Sequence, residues 1–131
     1  MKITPDTNVL VRVLVGDDAE QSKAAAVTLK KADVVAISIS ALCELAWVLS
    51  RGYKTSVENI AASIRHFINA SNVVVNRPSA EAGLAFLDAG GDFGDGVIAH
   101  EGYWLGAETF VSFDKKAVKL AEASGGMARL P

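Results

Sequence analysis

The sequence predicts an α/β protein: a three-layer α/β/α sandwich with a mainly parallel sheet of four or five strands. Two observations predict this class. Short segments rich in branched and aromatic residues alternate along the chain with longer segments of helical length. Several of the longer segments begin at a residue typical of an N-cap and end at glycine. Strands that alternate with helices favour a parallel sheet with helices on both faces.

Each element is predicted from one such segment. The strands are Lys2–Thr4, Val34–Ile37, Val73–Val75, Thr109–Ser112 and Met127–Arg129, the last with the weakest pattern. The helices are Thr7–Val15, Ala19–Lys31, Ala41–Arg51, Val57–Asn69, Ala80–Ala89, Phe93–Leu105 and Lys115–Ala123. Ser56 and Ser79 are predicted N-caps, because each precedes a helix with a glutamate in its first turn.

Size and composition predict one globular domain over residues 1–131. Apolar residues make up 50% of the chain and charged residues 21%, which excludes a disordered protein. The net charge of -2 provides no global basic field, so a nucleic acid must be bound by a local patch. The single cysteine, Cys43, cannot form an internal disulfide and is predicted to be a small core residue. With no signal region and no apolar segment of membrane-spanning length, we expect a soluble cytoplasmic protein.

Four acidic residues lie at the ends of apolar segments or inside them. They are Asp6, Glu44, Asp95 and Asp114. If the fold brings them together, their mutual repulsion requires a divalent cation or bound protons. Carboxylate oxygens are the ligands that Mg²⁺ prefers, whereas His66 and His100 stand alone in the sequence without the spacing of a zinc site.

Helix capping is the alternative explanation for the aspartates. Asp6, Asp92 and Asp114 each precede a predicted helix, and aspartate is a preferred N-cap. Asp92 and Asp95 are three residues apart and lie near the same electropositive helix N-terminus. Capping explains one of these two residues more readily than both.

Glu44 is predicted to be buried, because its helix is apolar on nearly every side. An ionised carboxylate in such a place is costly unless it is paired or bound to a metal. A salt bridge to Arg12 or Arg51 is the alternative to metal binding.

Four segments together resemble the PIN-domain family, and most closely the VapC-type toxins of bacterial toxin–antitoxin pairs. They are Asp6–Arg12, Leu42–Glu44, Gly91–Ala99 and Phe110–Lys115. The resemblance extends through essentially the whole chain, in the order of the family. Two departures are a proline before Asp6 and the glycines Gly94 and Gly96 beside Asp95, where alanine is usual. Each glycine is predicted to weaken the helix start by up to about 1 kcal/mol and to loosen Asp95.

The resemblance implies a metal-dependent endoribonuclease that hydrolyses RNA phosphodiester bonds. Its catalytic acids would be Asp6, Glu44, Asp95 and Asp114, its polar supports Asn8 and Ser112, and its accessory acid Asp92. The cofactor would be Mg²⁺ or Mn²⁺, and we expect Asp6 and Asp95 to be the main metal ligands.

The resemblance also implies a homodimer that a cognate antitoxin silences. The candidates for exposed apolar surface are Trp47, Tyr53, Phe67 and Trp104, and the sequence does not separate them from core residues. Arg12 and Lys115 are candidates for contacts with RNA phosphates, whereas Lys116 and Lys119 fit a solvated helix surface better.

Two other functions use the same fold class. A signalling module would use an aspartate as a regulatory Mg²⁺ site, but Asn76 follows Val73–Val75, where a phosphorylatable aspartate would stand. A binding protein without activity would keep the acids as helix caps. DNA in place of RNA as the substrate also stays open at this stage.

Overall fold

The order of strands and helices along the chain agrees closely with the predicted order. A computed structural model describes all of residues 1–131. The strands are β1 (Lys2–Ile3), β2 (Val34–Ala36), β3 (Val73–Val74), β4 (Thr109–Val111) and β5 (Met127–Arg129). The helices are α1 (Thr7–Leu14), α2 (Ala19–Lys31), α3 (Ile39–Arg51), α4 (Val57–Ile68), α5 (Arg77–Asp88), α6 (Phe93–Trp104) and α7 (Lys115–Ala123). The α/β class is confirmed, and every strand pair is parallel.

One predicted N-cap was wrong. Helix α5 begins at Arg77, so Ser79 lies inside the first turn and is not the N-cap. The early start is possible because Pro78 fits the first turn of a helix, where its missing N–H is not needed. Ser79 is buried, and its hydroxyl donates a hydrogen bond to the Glu101 carboxylate at 3.2 Å. The other predicted serine cap, Ser56, is confirmed.

The chain folds as two compact units, residues 1–76 and 77–131. In the first unit, β1, β2 and β3 form a parallel ladder, in which Val35 of β2 pairs with Ile3 and with Val73. Helix α1 packs against α2 and α3, and α3 packs against α4. The core of this unit contains side chains with almost no exposure: Leu10, Val35, Leu42, Leu45 and Ile64. Cys43, predicted as a core residue, is only half-buried.

In the second unit, β4 and β5 form a parallel pair in which Phe110 lies opposite Ala128. Helix α6 packs against α5, α7 and β4. A small core forms around Phe86, Ala99, Ala117 and Ala121. None of the seven helices of the protein combines the length and the apolar character that a membrane span requires.

Two glycines allow α5 and α6 to approach closely. A Cβ atom on Gly83 of α5 would lie 2.6 Å from the nearest ring carbon of Phe93. A Cβ atom on Gly96 of α6 would lie 2.5 Å from the backbone carbonyl oxygen of Ala82. Gly96 is therefore packed against α5. This contact holds the helix turn that carries Asp95, whereas the sequence predicted that the glycine would loosen that turn.

We predict opposite effects on stability for alanine at the two glycines of α6. In Gly94→Ala, the nearest atom to the new Cβ is 3.7 Å away, so the change should stabilise the protein by about 0.5–1 kcal/mol through lower chain entropy. In Gly96→Ala, the new Cβ overpacks the contact with α5 and should destabilise the protein by roughly 1–3 kcal/mol. Thermal unfolding followed by circular dichroism measures both. Equal melting temperatures for the two variants would contradict this account of the helix contact.

Candidate active site

Three acidic residues of the second unit interact through their charges. Asp92 precedes α6, Asp95 lies in the first turn of α6, and Asp114 precedes α7. The pKa of the half-buried Asp95 is raised, first by burial and then by the negative charges of Asp92 and Asp114. Carboxylates in such an arrangement disfavour one another's ionised forms, and a cation near them would relieve the repulsion.

Three of the predicted acids are N-caps, and each caps through a single oxygen. Oδ1 of Asp6 accepts a hydrogen bond from an N–H of α1 at 3.1 Å, and Oδ1 of Asp92 accepts one from α6 at 3.0 Å. Oδ1 of Asp114 accepts two from α7, at 2.9 and 3.3 Å. All three side chains are exposed. Capping therefore does not use the Oδ2 atom of any of these three carboxylates.

The two predicted polar supports lie in different surroundings. The Ser112 hydroxyl accepts a hydrogen bond from the backbone N–H of Asp114 at 3.0 Å. This bond fixes the turn that presents Asp114 at the start of α7. Asn8 lies in the first turn of α1, where it is exposed and lines a groove of about 300 Å³ together with Arg12 and Gln21.

Glu44 is exposed, so the prediction that it is buried was wrong. The buried face of α3 consists of Ala41, Leu42, Leu45, Ala46 and Leu49. The prediction failed because it counted Trp47 among the apolar surroundings of Glu44, whereas 60% of Trp47 is exposed. The alternative salt bridges are not formed: Arg12 pairs with Asp17 at 2.6 Å, and the Arg51 guanidinium lies over the Trp47 ring.

The partner of Arg12 is an acid that the sequence analysis did not single out. Nη1 of Arg12 donates to Oδ1 of Asp17, and this hydrogen bond is the main cause of the raised pKa of Arg12. The Tyr53 hydroxyl donates to Oδ2 of the same aspartate at 3.5 Å. Arg12 and Asp17 are five residues apart, a spacing that matches no helical pairing rule, so no sequence pattern indicated this pair. Of the two candidate phosphate contacts, Lys115 is exposed and Arg12 is half-buried and already charge-paired.

Three of the four aromatic candidates for exposed apolar surface are exposed. The exposed fraction is 60% for Trp47 and 84% for Trp104, and Tyr53 is also exposed. Phe67 is only 4% exposed, so of the four candidates this one is a core residue. It lies on the same face of α4 as Ile64, which is fully buried.

Neither unit contains three or more histidine, cysteine or acidic side chains grouped so that they could hold a metal ion. The charges of Asp92 and Asp114 thus raise the pKa of Asp95, but the three carboxylates are not grouped around a point that a metal ion could occupy. Their donor atoms are all carboxylate oxygens, which suit a hard divalent cation such as Mg²⁺.

Comparison with known families identifies the fold. The model of the PIN domain matches residues 3–123. The chain belongs to the PIN-domain family. The matched range spans both units and contains all four predicted catalytic acids. PIN domains are generally nucleases, and such nucleases generally use divalent metal ions. Searches among curated proteins and among solved structures found no match to this PIN domain.

We predict that Asp95→Asn stabilises this PIN domain at neutral pH when no metal is added. A raised pKa means that the ionised carboxylate is less favourable in the folded state than in the unfolded state, so its charge lowers the free energy of unfolding. The gain should be below about 1 kcal/mol, because solvent screens a half-exposed charge.

The sign of this effect can be checked against pH. Below the ordinary aspartate pKa of 3.8, Asp95 is protonated in both states and the advantage of the variant should vanish. As pH rises through the raised pKa, the advantage should grow to its full size. Urea unfolding of both proteins between pH 3 and pH 7 measures it, and an advantage independent of pH would refute the electrostatic cause.

Proposed function

We propose that this PIN domain is a Mg²⁺- or Mn²⁺-dependent endoribonuclease that hydrolyses RNA phosphodiester bonds. The observation that carries the proposal is the half-buried Asp95 beside Asp92 and Asp114, whose pKa is raised first by burial and then by the charges of the other two acids. Maintaining a half-buried carboxylate beside two others is unfavourable for stability, and such arrangements are characteristic of functional sites. The membership of the chain in a family of nucleases supports phosphodiester hydrolysis as the reaction at this site.

In this proposal both units belong to one PIN domain over residues 1–131. Four acids of the domain act together: Asp6, Glu44, Asp95 and Asp114. Asp6 and Asp95 would hold the metal ion, since each offers carboxylate oxygen and Mg²⁺ and Mn²⁺ prefer oxygen ligands. The ion, when bound, supplies Lewis-acid stabilisation of negative charge on the phosphate.

The remaining residues of the proposed site orient the acids and the substrate. Ser112 holds the backbone of Asp114 through its hydrogen bond of 3.0 Å, and Asn8 lies in the first turn of the helix that Asp6 caps. Asp92 caps α6 and adds negative charge beside Asp95. The exposure of Glu44 suits a catalytic role, because its carboxylate is accessible to substrate.

Cations beside the acids would bind the RNA backbone. Lys115 directly follows Asp114 and is exposed, so it can reach a phosphate without breaking another contact. Arg12 would contact a phosphate only in addition to its salt bridge with Asp17. Binding through such contacts weakens as the salt concentration rises.

The proposed biological role is that of a toxin in a toxin–antitoxin pair, acting on cytoplasmic RNA as a homodimer that its antitoxin silences. The support is the resemblance of the four segments around the acids to VapC-type toxins.

The alternative function is a non-catalytic module whose acids are helix caps or form a regulatory Mg²⁺ site. The capping by Asp6, Asp92 and Asp114 favours this alternative. The two functions make different predictions for asparagine variants, because asparagine caps a helix as well as aspartate but is a poor ligand for Mg²⁺.

We predict that Asp6→Asn and Asp95→Asn each lower the rate of RNA cleavage at least about 100-fold in Mg²⁺ or Mn²⁺, because each removes a carboxylate of the proposed site. Both variants should stay folded, since the Asp6 variant keeps its cap and the Asp95 variant loses only a charge that burial and two neighbouring acids make unfavourable. The measurement is cleavage of a labelled RNA, with circular dichroism to verify folding.

Asp18→Asn is the matched control for capping. Asp18 caps α2 through a hydrogen bond of 3.1 Å, the same length as the bond that Asp6 makes to α1. This variant should cleave RNA like the unmodified protein. Manganese should also raise the melting temperature of the unmodified protein and of Asp18→Asn more than that of Asp95→Asn. Full cleavage by folded Asp6→Asn and Asp95→Asn would reject the catalytic assignment.

We predict that expression of the chain alone arrests bacterial growth and produces discrete RNA cuts. Co-expression with the product of the adjacent gene should restore growth, and Asp6→Asn should abolish both arrest and cuts. Mapping RNA ends in the cells measures the outcome. Arrest that persists in the Asp6→Asn variant would point to a toxic activity other than cleavage at this site.

A further inference from the structure

Helix α3 presents one exposed stripe of four residues on the side opposite its buried face. They are Ser40, Glu44, Trp47 and Arg51. Spacings of four, three and four residues bring them onto the same side of a helix with 3.6 residues per turn. The proposed catalytic Glu44 therefore shares an open surface with a large aromatic ring one turn away.

The ring of Trp47 is available to a ligand. It is 60% exposed, although an indole of this size gains much free energy from burial in a protein. The Arg51 guanidinium lies over the ring at 6.0 Å from its centroid. This distance is at the outer limit of about 6 Å for a cation–π contact, so the contact restrains the two side chains only weakly.

The surroundings of Trp47 are polar, which bears on the kind of ligand. The other three residues of the stripe are a serine, a glutamate and an arginine. A surface that binds a protein through the hydrophobic effect has a contiguous apolar patch, and the stripe has only this one ring. An aromatic ring beside a cation is instead the combination that binds an unpaired nucleobase together with its phosphate.

We propose that Trp47 is a stacking site for one unpaired nucleobase of the RNA substrate and that Arg51 binds the adjoining phosphate. The inference rests on the proposed ribonuclease function, because it takes Glu44 of the same stripe as one of the catalytic acids. It assigns Trp47 and Arg51 to contacts with an unpaired stretch of the substrate. Stacking accepts any base, so Trp47 contributes affinity and selects for unpaired structure.

Binding of RNA tests the proposal without cleavage. The background is the full chain with Asp95→Asn, which keeps the RNA intact, and the probe is a short labelled oligoadenylate. Trp47→Leu should weaken binding about tenfold, as measured by fluorescence anisotropy, because base–aromatic stacking contributes roughly 1–3 kcal/mol. Trp47→Tyr should retain most of the affinity, since it keeps an aromatic face. Trp47 is largely exposed, so both variants should melt within a few degrees of the parent.

The second tryptophan provides the matched control. The chain has two tryptophans, and Trp104 is even more exposed, at 84%. Trp104→Leu should bind the oligoadenylate like the parent. In the Trp104→Phe variant, the remaining fluorescence comes from Trp47 and should be quenched by oligoadenylate but not by an abasic oligomer with the same phosphates. Equal quenching by both would overturn the stacking assignment.

Cleavage kinetics separate a stacking role from a catalytic one. With Asp95 intact, Trp47→Leu should raise KM for a single-stranded RNA about tenfold and leave kcat nearly unchanged, because the contact is made equally before and during the reaction. Light scattering gives the outcome that would overturn the proposal. If Trp47→Leu binds and cleaves RNA like the unmodified protein but has a different oligomeric mass, Trp47 is a contact between copies of the chain.

The failure of this inference and the failure of the proposed function give different results. If the unmodified protein cleaves RNA and Trp47→Leu binds it unchanged, the ribonuclease stands and the stacking site is rejected. If RNA binding depends on Trp47 but the unmodified protein cuts no RNA in Mg²⁺ or Mn²⁺, the stacking site stands and the hydrolytic function is rejected. An unmodified protein that neither binds nor cuts RNA rejects both.

Discussion

The capping of helix N-termini by aspartate is the interaction on which the candidate site depends. Asp6, Asp92 and Asp114 each follow a strand or a turn and fix the first turn of the next helix through one oxygen atom. The positive end of each helix dipole reduces the cost of placing a negative charge there. One residue thus defines where a helix begins and has a carboxylate oxygen that the cap does not use, so the structural and the chemical explanations of these aspartates are compatible.

The position of Asp95 depends on packing instead. Gly96 brings α6 against α5 so closely that a Cβ atom would collide with the carbonyl of Ala82. Asp95 stands next to that contact and is half-buried, with two other acids acting on it. The close helix contact therefore holds a carboxylate where its charge is unfavourable. Such a loss of stability is common where a protein must keep a site ready for a ligand.

Helix α3 has a buried face that stabilises the fold and an exposed stripe to which we assign functional residues. Its apolar face supplies Leu42, Leu45 and Leu49 to the core of the first unit. Its exposed stripe carries Glu44 and Trp47 without a fixed ion pair. Because the buried face alone anchors the helix, residues on the stripe are free to serve a substrate, and changes there should affect binding more than folding.

The sequence by itself determined the α/β class, the order of the elements and three of the aspartate caps, because hydrophobic period and capping are local properties. Only the tertiary structure decided the exposure of Glu44, the partner of Arg12, the place of Ser79 inside α5 and the packing role of Gly96. Apolar composition cannot tell which side of a helix faces a neighbour. That choice depends on contacts between residues far apart in the chain, and those contacts set burial, charge and pKa.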